Sequence, residues 1–497
     1  MKKSSTPRYA IALTGFFAAL FVVAQLAIVW AQSGGGYDLR RNVVAGGGTS
    51  STGGSMKVTG TIGQPAAGTV TSGGSFTQVG GFWHTIDGVA TPTPTPAPGP
   101  GVLQFSSAAY ATTEGCTAVN ITVARSNGNT GIVTVDYATS DGTALQRTDY
   151  TIGSGTLTFM EGVDSQAFPV LVCRDAYVES NETVTLTLSN PTGGATLGLQ
   201  DQSTLSLIND ATVPASQPID DAQTFVCEQY HDFLSREPDP GGLAFWSGLI
   251  TSCGSDVACI RLRRIDVSNA FYYELEFQQT GSYAYRLYRA SFGNNQPFPN
   301  PNPDPLNPNE EKKVPLYLPF MRDRAQVRGG PDLPQLQLAL AKAFVQRAEF
   351  VSRYPVSLDG PGFVDALLAT IANDTGANLS SQRQALIDLY NLAGGGNAGR
   401  GNVLYRLADD NISTNPINNR AFIDAEYNRA FVFTQYAGYL RRDPDMGGFL
   451  FWLGQVNSAP IRDVTKQHAM VCSFTTSAEY QQRFSSLVTH SNGECPS

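Results

Sequence analysis

The chain has 497 residues, a formal net charge of −9, and only 15% charged residues against 41% apolar ones. That length gives roughly three domains, and the apolar share excludes a wholly disordered chain. An acidic balance argues against nucleic acid as a partner, and four histidines in all disfavour a His-rich metalloenzyme.

Lys2, Lys3 and Arg8 precede an apolar run from Ala10 to Trp30, followed by the small-x-small site Val29-Trp30-Ala31. Residues 1–31 therefore read as a secretory signal with Gln32 as the new N-terminus. The run is also about long enough to span a bilayer, so an uncleaved N-terminal membrane anchor is the alternative. The expectation is an exported protein that meets a membrane only through that segment, if at all. Export lets disulfides persist. The seven cysteines are 116, 173, 227, 253, 259, 472 and 495. The number is odd, so at least one is unpaired or pairs between chains. Cys253 and Cys259 enclose a short polar loop and read as a pair. Cys472 with Cys495 is the preferred second pair, and Cys227 is expected to stay free on a buried helix face.

Residues 32–90 are a Gly/Ser-rich β segment, with alternating pieces such as Met56–Ile62 and Phe76–Val79 that predict hairpins with Gly turns. The stretch Tyr37 to Trp83 resembles a short segment seen after the signal of exported bacterial proteins. Residues 91–101, TPTPTPAPGPG, form a Pro-rich, semi-rigid linker. From 102 to 211 short alternating runs at Ala118–Val123, Ile132–Tyr137, Gly155–Phe159, Ala167–Val172 and Thr183–Leu188 are separated by turn signals. That spacing predicts an all-β sandwich. After a linker at 212–221 the period becomes helical: a module at 222–293, a Pro/Asn-rich loop at 294–330, degenerate modules at 331–420, a further module at 421–487, and a tail at 488–497.

Charge is concentrated in the sandwich. Residues 102–210 hold eleven acidic residues and three basic ones, Arg125, Arg147 and Arg174, so nearly all of the net charge lies there. Acids at strand ends call for counter-charge, and a hard cation with oxygen ligands supplies it. The pieces Thr113-Glu114, Val135-Asp136-Tyr137-Ala138-Thr139-Ser140-Asp141-Gly142-Thr143, Asp149-Tyr150, Gly155-Thr156-Leu157-Thr158-Phe159, Asp175-x-x-Val178-Glu179-x-x-Glu182-Thr183, Leu188-Ser189-Asn190-Pro191 and Ile208-Asn209-Asp210 resemble the Calx-beta family over its full length. The resemblance implies an immunoglobulin-like sandwich with Ca²⁺ at one end, and by position the ligands Glu114, Asp149, Asp175 and Asp210. This chain has Arg174-Asp175 where the family has two adjacent acids, Asn209-Asp210 where it has paired Asp, and Arg147 where a small residue is common. A Ca²⁺ ion takes about six to eight oxygens, so at most one site is left. The competing reading is an ion-pair cluster in which Arg147 and Arg174 neutralise the acids. In the family register Cys116 and Cys173 fall at the same end, and a disulfide between them is expected.

The helical part contains an internal repeat. The segment Phe225–Trp246 aligns without gaps to Phe431–Trp452, with more than half the positions identical. Pro238 and Pro444 stop the first helix of each copy. Asp239 and Asp445 are placed to cap the next helix, and Trp246 and Trp452 return an aromatic anchor to the core. Arg236 and Arg442 are expected to pair with the capping Asp or stack on the Trp. Acid–aromatic pairs follow at Glu276-Phe277 and Glu479-Tyr480, with a third at Glu349-Phe350. The R-x-P-D-x-x-G-x-x-F-W pattern resembles a helical repeat family of unknown function found in exported and surface-layer-associated bacterial proteins. It implies location and company but no reaction.

No H-E-x-x-H, G-x-S-x-G, Walker or Rossmann motif occurs, and His231 and His468 read as surface or capping residues rather than catalysts. The fold class is thus multidomain: an all-β immunoglobulin-like sandwich, an all-α repeat domain and a small Gly-rich β segment. The expected function is non-enzymatic. It is an exported protein, extracellular or at the surface of a bacterium, whose sandwich is an adhesion module tuned by Ca²⁺ and whose partner is a cell-surface or matrix protein or polysaccharide. The alternatives are an enzyme with its site in the helical region and a structural spacer without a ligand.

Overall fold

The computed structural model describes residues 99–210, 217–411 and 413–495, together with the backbone of four strands nearer the N-terminus. The signal segment expected at 1–31 and most of the Pro-rich linker lie outside the described residues. The chain divides into two compact units, residues 1–95 and 96–497. In the first, β1 (Gly48–Gly53) pairs with β2 (Met56–Thr61) and β3 (Val70–Gly73) with β4 (Phe76–Val79), both antiparallel. These are hairpins, as the alternation predicts.

The second unit opens with nine strands: β5 (Val102–Phe105), β6 (Ala109–Thr113), β7 (Thr117–Ser126), β8 (Val133–Asp141), β9 (Ser154–Phe159), β10 (Ser165–Val172), β11 (Glu182–Ser189), β12 (Thr196–Leu197) and β13 (Gln202–Ile208). They build two sheets, in the orders β10-β7-β5-β12 and β6-β13-β11-β8-β9. Alternate residues point inward, as period two requires. Ile121, Val123, Phe168 and Val170 of one sheet meet Val135, Tyr137, Leu186 and Leu205 of the other, all buried. Tyr137 stacks on Phe168 with ring centroids 3.8 Å apart. Arg125 is buried without an acid. Its guanidinium donates to the carbonyls of Pro100 (2.9 Å), Thr130 (2.7 Å), Gly131 (3.1 Å) and Met160 (3.2 Å). Those bonds satisfy turn carbonyls at the end of the sandwich opposite the acids.

Helices follow at Ala222–Gln229, Pro240–Thr251, Val257–Tyr273, Leu275–Gln279 and Gly281–Phe292. Next come Tyr317–Ala325, Leu333–Phe344, Ala348–Arg353, Gly360–Thr375, Arg383–Leu392 and Gly396–Ala408. The last are Arg420–Gln435, Met446–Asn457, Val464–Thr475 and Ala478–Gln481. Two expectations change here. Within the presumed linker 212–221, Gln217 and Ile219 are buried, and Ile219 belongs to the helical core. Within the presumed loop 294–330, Tyr317–Ala325 is a helix that buries Phe320 and Met321. The prolines crowd its N-terminal approach and its first turn, where Pro319 needs no intrahelical donor, so the composition of the loop hid a short helix.

The two repeat copies pack on each other rather than in sequence order. Residues from 219 to 285, 314 to 321 and 427 to 484 share one core, while residues 283 to 292 and 327 to 422 supply a second. In each copy the first helix ends in a wider π segment, Tyr230–Leu234 or Tyr436–Leu440, and then a left-handed residue, Ser235 (φ 51°) or Arg441 (φ 47°). Asp239 and Asp445 each accept an amide hydrogen bond at 2.7 Å, from Gly242 and Gly448, as helix caps. The motif arginines make the expected ion pairs with the capping Asp, Arg236 with Asp239 at 3.8 Å and Arg442 with Asp445 at 3.7 Å. Their closer partners are elsewhere: Arg236 grips both carboxylate oxygens of Glu276 (2.7 and 2.8 Å) and Arg442 those of Glu479 (2.6 and 2.9 Å). They lie over Tyr230 and Tyr436, not over a Trp. The acids of the Glu276-Phe277 and Glu479-Tyr480 pairs are thus the stronger latch, because the contact is bidentate. Trp246 and Trp452 pack on Phe271 and Phe474.

Sandwich and helices are joined through positions where the copies differ. Cys227, Glu228, His231 and Asp232 of the first copy stand where the second has Phe433, Thr434, Ala437 and Gly438. Conversely, Arg441 stands where the first copy has Ser235. Asp232, fully buried, receives Arg441 Nε (3.0 Å) and Arg483 Nη1 (2.9 Å). Burial alone pushes the Asp232 carboxyl up, but Arg483 and Arg441 outweigh it and hold the group below the usual carboxylate range. Arg441 also reaches the sandwich, donating to the carbonyls of Gln146 and Tyr150 (3.0 Å each), to Thr151 Oγ1 (3.2 Å) and to Cys173 Sγ (3.3 Å).

The disulfides correct one expectation. The structure pairs Cys253 with Cys259 and Cys472 with Cys495, but Cys116 with Cys227, leaving Cys173 as the buried free thiol. Cys116 and Cys173 do lie at one end of the sandwich, yet the first repeat helix presents Cys227 there with Cα atoms 6.2 Å apart. His231 is likewise not a surface residue, being fully buried. Arg441→Met would strip Asp232 of one partner and leave several sandwich acceptors unmet. The expected cost is about 3–5 kcal/mol, read as a lower urea or thermal midpoint. Arg383→Ala, which breaks an exposed, solvent-screened pair with Asp365, is expected to leave those midpoints essentially unchanged.

Candidate functional site

The candidate site is the acid-lined end of the sandwich, where β6, β8, β10 and β13 terminate. The β8–β9 connection brings Asp149. It is shaped by Asp141, whose Oδ1 accepts from the Gln146 amide (2.9 Å) and the Tyr150 hydroxyl (2.7 Å). The β10–β11 connection brings Asp175 and Glu179. Carboxylate oxygens of Asp149, Asp175 and Glu179 lie within 4.8 Å of one another. Asp149 and Asp175 are each 6% exposed. Asp149 Oδ2 accepts from the Leu145 amide (2.6 Å), and Asp175 Oδ1 from the Tyr177 amide (2.9 Å). These bonds aim the carboxylates but do not neutralise them.

Glu114 and Asp210, the other two residues expected as ligands, flank this group. Burial, and then the charges of Asp149, Glu179 and Asp210, push the Glu114 carboxyl up to about 7. Burial, and then Glu114, Asp149 and Glu179, push Asp175 to about 7 despite the Tyr177 amide. Glu182 rises to about 8, through burial and the adjacent Asp149. Burial is the larger cause in each case, and repulsion among the neighbouring carboxylates adds to it. Glu179 and Glu182 were not assigned as ligands from sequence, although the spacing Asp175-x-x-x-Glu179-x-x-Glu182 was visible there. Their convergence depends on how the β10–β11 connection folds back.

The arginines do not fill the centre. Arg147 turns away to Glu479 Oε1 at 2.5 Å, joining the Arg442 latch of the second repeat. Arg174 is exposed and makes no ion pair among the described residues. Asp149, Asp175 and Glu179 likewise make no ion pair with Lys or Arg among the described residues. A set of hard oxygen donors with this much uncompensated charge fits a Ca²⁺-class ion. The loops are steadied from the helical side. The Ala176 amide donates to the Phe484 carbonyl (2.7 Å), Tyr177 Oη to the Gln482 carbonyl (2.9 Å), and Tyr317 Oη to Gln146 Oε1 (2.5 Å).

Comparison with known proteins agrees with this geometry. Residues 99–212 match the model of the Calx-beta domain, and residues 414–484 match a domain of unknown function, DUF4214. The sodium/calcium exchanger Calx of Drosophila melanogaster is 32% identical over 108 residues, 22% of this chain and 11% of that protein. The adhesion G-protein coupled receptor V1 of Danio rerio is 38% identical over 84 residues, 17% of this chain and 1% of that protein. The chain therefore spans about a tenth or less of the length of these relatives. Among solved structures, the apo-form Calx CBD1 domain is 31% identical, covering 22% of this chain and 96% of that one, with a TM-score of 0.21. The calcium binding domain CBD12 of CALX1.1 is 30% identical, covering 22% and 47%, with a TM-score of 0.22. The chain carries a Calx-beta domain at residues 99–212, similar in sequence to part of the sodium/calcium exchanger Calx, followed by a helical region that contains a DUF4214 domain at 414–484.

Proposed function

We propose that this is a non-enzymatic interaction protein whose Calx-beta domain binds one Ca²⁺ ion, with Asp149, Asp175 and Glu179 as the inner ligands and Glu114 and Asp210 beside them. The carrying observation is the convergence of three carboxylates within 4.8 Å while both nearby arginines turn elsewhere. The helical region acts as a rigid scaffold that holds the metal loops. We further propose that the chain is exported and works outside a bacterial cell or at its surface, against a matrix or cell-surface protein or polysaccharide. The signal-like residues 1–31 and three disulfides support that location. Among the described residues no helix is long and apolar enough to cross a membrane.

The scaffold reading is favoured over an enzyme by how the helical region is filled. Its clefts at Arg261, Arg264 and His490 and at Tyr288, Gln296 and Arg347 measure about 40 and 80 Å³. Substrate-sized pockets run to about 300–1,000 Å³. Tilted and edge-on aromatic rings fill the core of the helical region, as in the Phe350, Tyr354 and Phe363 group.

Titration calorimetry of the full chain with CaCl₂ should give one site, and Asp149→Asn or Asp175→Asn should weaken it by about tenfold or more, near 1.4 kcal/mol. No heat and no shift in melting temperature at millimolar Ca²⁺ would sink the proposal. The pH dependence has a definite sign. Glu114, Asp175 and Glu182 stay protonated to higher pH when folded than when unfolded. The folded state therefore binds more protons between about pH 4.5 and 8, and stability without metal falls as pH rises through that window. Ca²⁺ should restore it, with the largest gain in melting temperature above pH 7. A thermal melt series with EDTA and with Ca²⁺ reads both.

A further inference from the structure

Cys173 stands beside a disulfide with which it is placed to exchange. The β10–β7 ladder ends at Val172 opposite Thr117, and just past it the Gly115 amide donates to the Cys173 carbonyl (3.4 Å), one residue out of that register. Cys116 and Cys173 thus belong to adjacent chain ends on the same side of the sandwich. Cys116 is nonetheless bonded to Cys227 of the first repeat helix. One helical turn after Cys227, His231 lies between the two sulfurs. Its Nε2 is 3.7 Å from Cys227 Sγ, and a ring nitrogen is within 4.8 Å of Cys173 Sγ. Arg441 Nη2 donates to the Cys173 sulfur at 3.3 Å. Cys173, Cys227, His231 and Arg441 are all buried. Thiol–disulfide exchange needs a sulfur nucleophile, a base and a means of steadying sulfur anions, and these four residues with Cys116 supply them.

We propose that Cys173 exchanges with the Cys116–Cys227 disulfide, giving the chain two covalent states: one with the sandwich tied to the helical region, the other with the sandwich closed on itself through Cys116–Cys173. The Cys173 thiol gives its proton to His231 and its sulfur attacks Cys116 Sγ. The Cys116–Cys227 bond breaks as the Cys116–Cys173 bond forms. Cys227 leaves as a thiolate and takes the proton from His231 Nε2. Cys173 is oxidised and Cys227 reduced, so no outside oxidant or reductant is consumed. The second state removes the disulfide between the two parts and leaves Arg441, Arg147 and the hydrogen bonds of Ala176, Tyr177 and Gln146 to hold them together.

The test is disulfide mapping of the full chain after incubation under native conditions, trapped with acid and alkylated in denaturant. The expected result is two linked peptide pairs in the wild type: Cys116–Cys227 with Cys173 alkylated, and Cys116–Cys173 with Cys227 alkylated. Cys173→Ser should lose the second pair and keep the first. Incubated with oxidised glutathione as the oxidant, Cys227→Ser should form Cys116–Cys173 quantitatively while keeping a cooperative thermal transition. Finding only Cys116–Cys227 in the wild type overturns the proposal. So does a Cys227→Ser protein in which Cys116 and Cys173 both remain alkylatable. Rearranged pairs in Cys173→Ser would also overturn it, because they would show exchange between chains.

Discussion

Asp232 organises the join between the two halves of the second unit. A carboxylate with no solvent exposure costs far more than any one contact returns unless it is paired and hydrogen-bonded. Here Arg441 and Arg483 both converge on it. Arg441 then has donors to spare, and these reach across to Gln146, Tyr150, Thr151 and Cys173 of the sandwich. One buried charge thereby ties the two repeat copies to each other and both to the β8–β9 connection. Removing a partner from such a cluster is costly, while a hydrophobic replacement of the whole would not be. The cluster specifies how the parts dock rather than adding net stability.

The same docking decides the electrostatics of the acidic end. Arg147 was placed by sequence to neutralise Asp149 and its neighbours. In the folded chain Glu479, already held by Arg442, draws it away. The acids are left facing one another, and several of them rise well above the normal carboxylate range. The helical region thus keeps the sandwich acids uncompensated and at the same time braces the connections that carry them through Ala176 and Tyr177. The acid cluster and its support come from two segments more than 250 residues apart in the chain.

Much of the fold was readable in advance because it rests on local rules. Alternation marked five of the sandwich strands, and the Pro-Asp step marked the cap at both repeat copies, where Asp239 and Asp445 bind the expected amides. The acid–aromatic pairs were visible but their purpose was not, since Glu276 lies 40 residues from Arg236. Glu179 was visible as part of a spacing, yet only the return of the β10–β11 connection brings it to Asp149. The polar residues Glu228, His231 and Asp232 were set against apolar or small ones in the second copy. That mismatch was the available signal that this face is specialised.

Composition and pattern established a β-sandwich that holds nearly all the net charge, a duplicated helical module and an odd number of cysteines. These are one-dimensional properties, set by periodicities of two and 3.6, by Pro and capping chemistry, and by counting. Which cysteine Cys116 bonds, which acid each arginine takes and which carboxylates stand together depend on packing. The cross-strand neighbour Cys173 lost Cys116 to Cys227 because the first repeat helix docks against that edge. Arg147 left Asp149 for Glu479 because the second repeat brings a half-buried carboxylate within reach. Pairings between distant segments are settled by how apolar faces stack and how buried charges are satisfied, and neither has a counterpart in local spacing.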